Sequence, residues 1–210
     1  MVSANKRIFF KNFVFEVCSN VYEPSEDSFL FAENLRIKKN AYVLDMGTGS
    51  GILGIIASTK AKGVLAIDIN PDALMCARQN AVRNGSLGKM TFLRARLFSS
   101  LKMGTKFDAI LFNAPYLPSR ADEEKTWLTN AWSGGPTGRE IVDSFILQAP
   151  NYIDSSGEIL LLHSNLTNLE QTLLNFRNQG LSTEIAATLK LPFFETLFLI
   201  RAFFTNKRSV

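Results

Sequence analysis

Three glycines at alternate positions, Gly47, Gly49 and Gly51, follow Asp45 in the run Leu44-Asp45-Met46-Gly47-Thr48-Gly49-Ser50-Gly51-Ile52-Leu53-Gly54. An apolar stretch, Tyr42-Val43-Leu44, leads into them and an apolar segment of helical length leads away, which places the glycines at a strand-to-helix turn. At such a turn the missing Cβ lets the main chain take positive φ and come close to a ligand. Asp68 stands roughly twenty residues further on, where a strand-end carboxylate can accept hydrogen bonds from ribose hydroxyls. Together these features point to an adenosine-type cofactor. A nicotinamide dinucleotide would share the spacing, but Asp45 inside the turn would repel a pyrophosphate and could engage the ammonium end of a cationic ligand. That favours S-adenosylmethionine.

A second group, Asn113-Ala114-Pro115-Tyr116, closes the apolar run Phe107-Asp108-Ala109-Ile110-Leu111-Phe112, on the side where open α/β sheets bind ligands. Its residues suit one task. An amide or exocyclic amino nitrogen is a poor nucleophile because its lone pair is delocalised into the attached π system. If the Asn113 side-chain oxygen and the Ala114 carbonyl both accept from that NH₂, the nitrogen is oriented toward a methyl group, and Tyr116 can stack on the planar acceptor. Taken alone, the same four residues also describe an ordinary Asn-x-Pro turn.

These residues carry a resemblance. Asp45-Met-Gly-Thr-Gly-Ser-Gly, Asp68 and Asn113-Ala-Pro-Tyr are similar to the class I S-adenosylmethionine-dependent methyltransferases, specifically the HemK-like glutamine methyltransferases of translation release factors. Tyr22-Glu-Pro-Ser-Glu-Asp-Ser-Phe and Ala131-Trp-Ser-Gly-Gly-Pro-Thr-Gly-Arg-Glu resemble segments of the eukaryotic and archaeal branch. Bacterial members carry a helical domain ahead of the catalytic one, for which this chain has no room, so the short branch fits better. The resemblance implies an α/β, Rossmann-like fold: a seven-stranded, mostly parallel sheet with its last strand antiparallel and helices on both faces. It implies that Ser28, Asp45, Gly47, Gly49, Gly51, Asp68, Ile69, Arg96, Leu97 and Asn113 lie at the cofactor, with Asn113, Ala114, Pro115 and Tyr116 at methyl transfer. The expected acceptor is the glutamine of the Gly-Gly-Gln loop of a class 1 release factor. Two departures stand out. Ala114 replaces the usual first proline, which a backbone carbonyl role tolerates. Arg96 stands where the family commonly has an aspartate accepting from the adenine amino group, and arginine has no acceptor to offer.

The elements that must hold these residues follow from the apolar patterning. Residues Ile8 to Val17 read as one extended strand or a hairpin, and a helix begins near Ser25 and runs to about Leu35. From Tyr42 strands and helices alternate, which implies a parallel sheet. Asn70 and Pro71 supply an N-cap and first-turn proline for a helix to about Arg83. Met90 to Leu93 and Phe107 to Phe112 are further strands, and the polar stretch from Leu117 to Arg139 reads as a lid or binding loop. A helix from about Glu140, a strand at Glu158 to Leu162, a helix from about Asn168 to Gly180 and a final antiparallel hairpin, Thr183 to Leu189 and Thr196 to Phe204, complete the chain. The expectation is one methyltransferase domain over 1–210, with residues 1–40 as an N-terminal strand and helix extension and 41–210 as the catalytic core.

Composition adds bounds. With 210 residues and 46% of them hydrophobic, the chain suits one domain burying roughly 70% of its unfolded surface. A net charge of +4 with scattered basic residues permits a polyanion partner without demanding one. Cys18 and Cys76 show no metal or disulfide spacing, so no metal is expected, and with no signal peptide and no apolar run of spanning length the expected location is the cytoplasm. His163, the single histidine, is discounted as a general base, because methyl transfer from a sulfonium needs positioning more than proton abstraction. Trp127 and Trp132 either line a substrate groove or anchor the lid. Asp108 and Glu195 read as structural hydrogen-bonding groups near the site. In the family's strand order Met90 to Leu93 is an apolar sheet edge, a template for pairing, and members of this branch work with a small zinc-binding activator that adds there. Rival readings are an adenine-amino methyltransferase acting on DNA or RNA, disfavoured because no base-reading domain is evident, a protein lysine methyltransferase, and a cofactor-binding scaffold without activity.

Overall fold

The computed structural model describes residues 6–119 and 126–205. Its centre is a seven-stranded sheet of β3 (Tyr42–Met46), β4 (Gly63–Asp68), β5 (Met90–Arg94), β6 (Phe107–Asn113), β7 (Ile153–Ser164), β8 (Leu181–Lys190) and β9 (Thr196–Phe204), in the order β5-β4-β3-β6-β7-β9-β8. β9 runs antiparallel to both of its neighbours; β3, β4, β5, β6 and β7 pair in parallel. β3 and β6 lie side by side although β4 and β5 come between them in the chain. That is the point where strand order reverses and the strand ends leave a crevice.

The parallel strands are buried on both faces, which is why they read as near-continuous apolar runs. Helices α1 (Glu26–Asn34), α2 (Ile52–Ser58), α3 (Pro71–Arg83), α5 (Glu140–Gln148) and α6 (Leu169–Asn178) surround the sheet, and α4 (Trp127–Asn130) is a single turn. One core packs Phe31, Ile55, Leu111 and Leu160, and a second packs Leu44, Ile110, Phe145 and Phe176.

The residues from Ile8 to Val17 form a hairpin, β1 (Lys6–Phe10) and β2 (Phe13–Val17), separate from the main sheet. It docks on α3 through side-chain amides: Asn84 Oδ1 accepts from Val14 N at 3.0 Å and Asn80 Oδ1 from Glu16 N at 2.8 Å. The helix expected from Asn70 starts as its residues dictate, with Asn70 Oδ1 accepting from Asp72 N at 2.9 Å.

Three details differ from the sequence reading. β7 spans twelve residues, Ile153–Ser164, rather than Glu158 to Leu162. Its first five residues, Ile-Asp-Ser-Ser-Gly, carry no strand periodicity because the ladder with β6 is irregular there. Ser25 sits at the N-cap of α1, but its hydroxyl bonds the Glu26 carboxylate rather than a backbone N–H. Asp108 is at the opposite end of β6 from Asn113, where its Oδ2 accepts from Tyr42 N at 2.7 Å, so it is structural but not near the site. Among the described residues no helix is long and apolar enough to cross a membrane, and no group of histidine, cysteine and carboxylate side chains could hold a metal.

Candidate active site

A cavity of about 480 Å³ opens where β3, β4 and β6 end. Its wall includes Gly47 and Gly49 from the turn after β3, Asp68 and Ile69 from the end of β4, Arg96 and Leu97 beyond β5, Asn113 to Tyr116 beyond β6, and Ser28 from α1. The chain therefore brings together residues spread over some ninety positions because four segments finish at one edge of the sheet.

Asp45 and Gly51 stand behind this wall, not on it. Asp45 is buried, and its Oδ2 accepts from Thr48 Oγ1 at 2.6 Å and from Gly54 N at 3.0 Å. The carboxylate thus ties the end of β3 to the start of α2 and sets the shape of the turn between them. Burial pushes its pKa up to about 7, against those two hydrogen bonds and with a small push from Asp68. Gly51 has φ +87, and a Cβ there would lie 3.0 Å from Ala77 Cβ, so α2 and α3 approach through it.

Asp68 holds the turn from the other side. Its Oδ2 accepts from Gly49 N at 3.0 Å and its Oδ1 from Asn70 N at 2.9 Å. Each carboxylate oxygen has a second lone pair, so the same group can still receive a ribose diol. Burial raises its pKa, while the backbone N–H groups of Gly49, Asn70 and Ile69 oppose the shift.

At the acceptor end, Asn113 Nδ2 donates to Asp27 Oδ2 at 3.0 Å and to Ser28 Oγ at 3.3 Å. An ionised carboxylate is acceptor-only, so it fixes which end of the Asn113 amide faces it and turns Oδ1 the other way. Asp27 is buried and also accepts from Tyr22 OH at 3.1 Å and Ser28 Oγ at 3.1 Å. Burial, with Asp27 adding, pushes both the Tyr22 and Tyr116 phenols well above their ordinary range, so both are neutral hydrogen-bonding rings.

The sequence reading gave Asp27 no role beyond its place in the helix that begins near Ser25. Its partner lies eighty-six positions away, and nothing local marks the contact. Asp27→Asn would present a donor that also allows Asn113 to rotate. It is expected to lower kcat by about tenfold or more at saturating cofactor, with Asp27→Ala at least as severe, as read by single-turnover kinetics.

The segment after Tyr116 folds back over the cavity. Leu117 N donates to Trp132 O and Gly134 N to Leu117 O, both at 2.9 Å. A Cβ on Gly138 would lie 2.3 Å from Tyr116 O, and one on Gly134 2.8 Å from Pro115 O. These glycines therefore let backbone pack on backbone directly behind the Asn-Ala-Pro-Tyr turn. Arg139 anchors the far end, donating to Thr167 O, Asn168 O, Thr172 Oγ1 and Asp143. Trp127 and Trp132 both face the cavity. The part of this loop from 120 to 125 lies outside the described residues.

His163 is fully buried on β7, with Nε2 3.3 Å from Thr172 Oγ1, and burial lowers its pKa to about 4. It is a neutral core imidazole away from the cavity wall. Glu195 accepts from Ser164 Oγ at 2.8 Å, a structural bond as expected.

Arg96 is exposed on the rim and Leu97 is buried beside it at φ +49. Leu97 holds this unfavoured conformation at the point where the cavity wall turns. Arg96→Asp is expected to tighten cofactor binding several-fold by supplying the missing acceptor, and an unchanged or weaker dissociation constant by calorimetry would refute this.

The geometry fits S-adenosylmethionine on its own terms: a strand-end carboxylate with spare acceptor capacity, a turn that admits close approach, a buried carboxyl group beneath it, and an amide oxygen turned free at the next strand. Comparison with known proteins agrees. The family model "Methyltransferase small domain" matches residues 23–186. A Methanocaldococcus jannaschii protein provisionally named a protein N5-glutamine methyltransferase is 42% identical over 184 residues, covering 87% of this chain and 91% of the relative. The Homo sapiens methyltransferase HEMK2 is 32% identical over 176 residues, covering 78% and 80%. Among solved structures, the E. cuniculi Mtq2-Trm112 complex, described as responsible for methylating the eRF1 translation termination factor, superposes with TM-score 0.69 at 25% identity, covering 89% of this chain and 99% of the other.

Proposed function

We infer the reaction from the premise that this chain belongs to the methyltransferase small-domain family: it transfers the methyl group of S-adenosylmethionine to the side-chain amide nitrogen of a protein glutamine. The observation that carries the reading is the Asp27-oriented Asn113, whose Oδ1 is left to accept from a planar NH₂ at the end of β6. The glutamine nitrogen attacks the methyl carbon, the carbon–sulfur bond breaks, S-adenosylhomocysteine leaves, and the surplus amide proton passes to water. The chain's own residues hold the nitrogen in line; no general base is needed. The acceptor is the glutamine of the Gly-Gly-Gln loop in a class 1 release factor, consistent with the eRF1 activity named for the Mtq2 complex.

The test supplies labelled cofactor with release factor, the same factor with its loop glutamine replaced, and nucleic acid. Label in the intact factor alone is expected. Label in DNA or RNA but not in the factor sinks the reading, and no label anywhere with intact cofactor binding and the activator subunit present favours a scaffold.

The exposed side of β5 carries a second part of the proposal. Among the described strands β5 pairs with β4 alone, so one row of its backbone groups is unpaired. A small zinc-binding subunit adds to that edge, as a partner that keeps the catalytic chain soluble. Weak activity or poor solubility of the chain alone, repaired by the partner, is the expected result, and a fully active, monodisperse monomer counts against it.

The two raised carboxylates give the reaction a pH signature. Cofactor binding brings net positive charge toward Asp45 and Asp68, so it favours their ionised forms. Cofactor affinity is expected to fall as pH drops from 8 through 7 toward 5.5, by up to about tenfold per unit below the pKa of Asp45. The unliganded fold responds with the opposite sign. A carboxyl whose folded pKa lies above its unfolded value contributes stability below the unfolded value and loses it as pH rises through about 7. Acidification from 8 to 6 should therefore help the Asp45 contribution to the free fold while weakening the complex. Calorimetry and thermal melts across that range read both signs, and Asp45→Asn should flatten both.

A further inference from the structure

The loop between β8 and β9 exposes two phenylalanines almost completely, Phe193 at 94% and Phe194 at 96%. Both have positive φ, +60° and +64°. Consecutive left-handed residues are what a primed hairpin turn demands, and asparagine with glycine is the usual solution. Two aromatic residues are the least suited to that backbone, so here the turn presents rings at the expense of its own conformational preference.

The tip is held firmly where it stands. Leu191 N donates to Glu195 O at 2.8 Å, Asn165 Nδ2 donates to Phe194 O at 3.1 Å, and Thr196 N donates to Asn165 Oδ1 at 2.7 Å. Leu166, the residue after Asn165, is itself half exposed and apolar. The patch is therefore a rigid prong, braced on the end of β7.

Its position is fixed by sheet register. Asn113 pairs with Leu162 of β7, which pairs with Leu199 of β9, and β9 begins at Thr196. Two strand spacings sideways and three residues along reach Thr196, and the tip two to three residues further stands roughly 20 Å from Asn113, at the same end of the sheet as the cavity mouth. Glu195, at the base of the tip, lies close enough to Tyr116 for its charge to raise that phenol's pKa. The prong is thus continuous with the acceptor end of the site.

We propose that Phe193 and Phe194 form a docking prong for the protein substrate, gripping an apolar segment that an extended chain reaches about six residues from the methylated glutamine. This rests on the glutamine reading and deepens it. The active-site turn recognises only a planar amide, which every glutamine and asparagine carries, so discrimination among proteins must come from a surface outside the cavity. The prong supplies an exposed apolar surface at that end of the sheet, and burial of two aromatic rings against a partner is the kind of contact that dominates an interface.

The test replaces Phe193→Asn together with Phe194→Gly, residues that take positive φ more readily than phenylalanine, so the loop keeps its backbone. With the chain and its zinc-binding subunit together and intact release factor, KM for the factor should rise at least tenfold while kcat at saturation and the cofactor dissociation constant stay unchanged. A peptide of about seven residues centred on the glutamine, too short to reach the prong, should be methylated equally by both enzymes. Phe193→Leu with Phe194→Leu should restore part of the factor's affinity. An unchanged KM for a factor that the unaltered chain does methylate overturns the prong alone. Failure of the unaltered chain to methylate the factor with the zinc-binding subunit present overturns the glutamine reading and the prong with it. Self-association of the chain that the double substitution abolishes assigns the prong to a second copy, and vesicle binding abolished by it assigns the prong to a lipid surface; either overturns the proposal.

Discussion

Asn113→Ala abolishes methyl transfer, lowering kcat by about a thousandfold, while the dissociation constant for S-adenosylmethionine moves by no more than a few-fold. The reasoning starts from the nucleophile. An amide nitrogen shares its lone pair with the carbonyl, and it becomes reactive only when its protons are held so that the lone pair faces the methyl carbon. Asn113 Oδ1 is positioned for that by the bond from its own Nδ2 to Asp27. Removing the side chain removes the orienting acceptor and leaves Asp27 and Ser28 facing a gap. The carboxylate proposed to take the ribose, Asp68, is on β4, two strands away in the sheet order, so cofactor affinity is expected to survive. Single-turnover rates with bound cofactor, set beside calorimetric titration, separate the two quantities. Turnover within tenfold of the unaltered enzyme removes Asn113 from its role. Equal losses in rate and in cofactor affinity would mean that the substitution has collapsed the pocket rather than disarmed it.

The parts of this architecture that could be read in advance are those written in local chemistry. Gly47 to Gly51, Asn70 with Pro71, and the apolar runs ending at Asp68 and Asn113 each state their conformation within a few residues. What escaped the sequence depends on contacts that sequence distance conceals. Asp27 meets Asn113 only because α1 crosses the end of β6. The start of β7 is hidden because Ser155 and Ser156 face outward and Gly157 packs against the Asp108 carbonyl, where a Cβ would lie 2.9 Å away. Asp45 shows a subtler gap. Its residue type pointed to a cationic ligand, whereas its position makes it first a brace for the turn, bonded to Thr48 and Gly54. A charge behind the wall and a contact on it are indistinguishable in the sequence, because both demand an acid at the same strand end.

Asp45 and Asp68 are therefore not two copies of one role. Asp45 acts from beneath, with both of its hydrogen bonds on Oδ2, and its influence on a ligand is that of a charge in a poorly solvated place that is lost as pH falls through about 7. Asp68 acts at the surface of the cavity, partly buried, with hydrogen-bonding capacity left over. The two also restrain the same turn from opposite sides, through Thr48 and Gly54 on one and Gly49 on the other.

That division makes Asp68→Ala the mirror image of Asn113→Ala. A ribose diol donating two hydrogen bonds to a carboxylate gains about 1.5–3 kcal/mol from each. Losing both, with some compensation by water, corresponds to at least about 2.7 kcal/mol, or a dissociation constant raised about a hundredfold. The substitution also strips acceptors from Gly49 N and Asn70 N, loosening the turn and the start of α3, which adds to the loss. Asp68→Asn should fare little better, because its amide NH₂ would face one of those two N–H donors. Once cofactor is supplied far above its new dissociation constant, kcat should return to within several-fold of normal, since Asn113 and its Asp27 support lie on other strands and helices and are untouched. Titration calorimetry gives the first number and saturation kinetics the second. An unchanged dissociation constant takes the ribose contact away from Asp68. A kcat that stays low at saturation would show that the turn it braces also sets the position of the reacting methyl group.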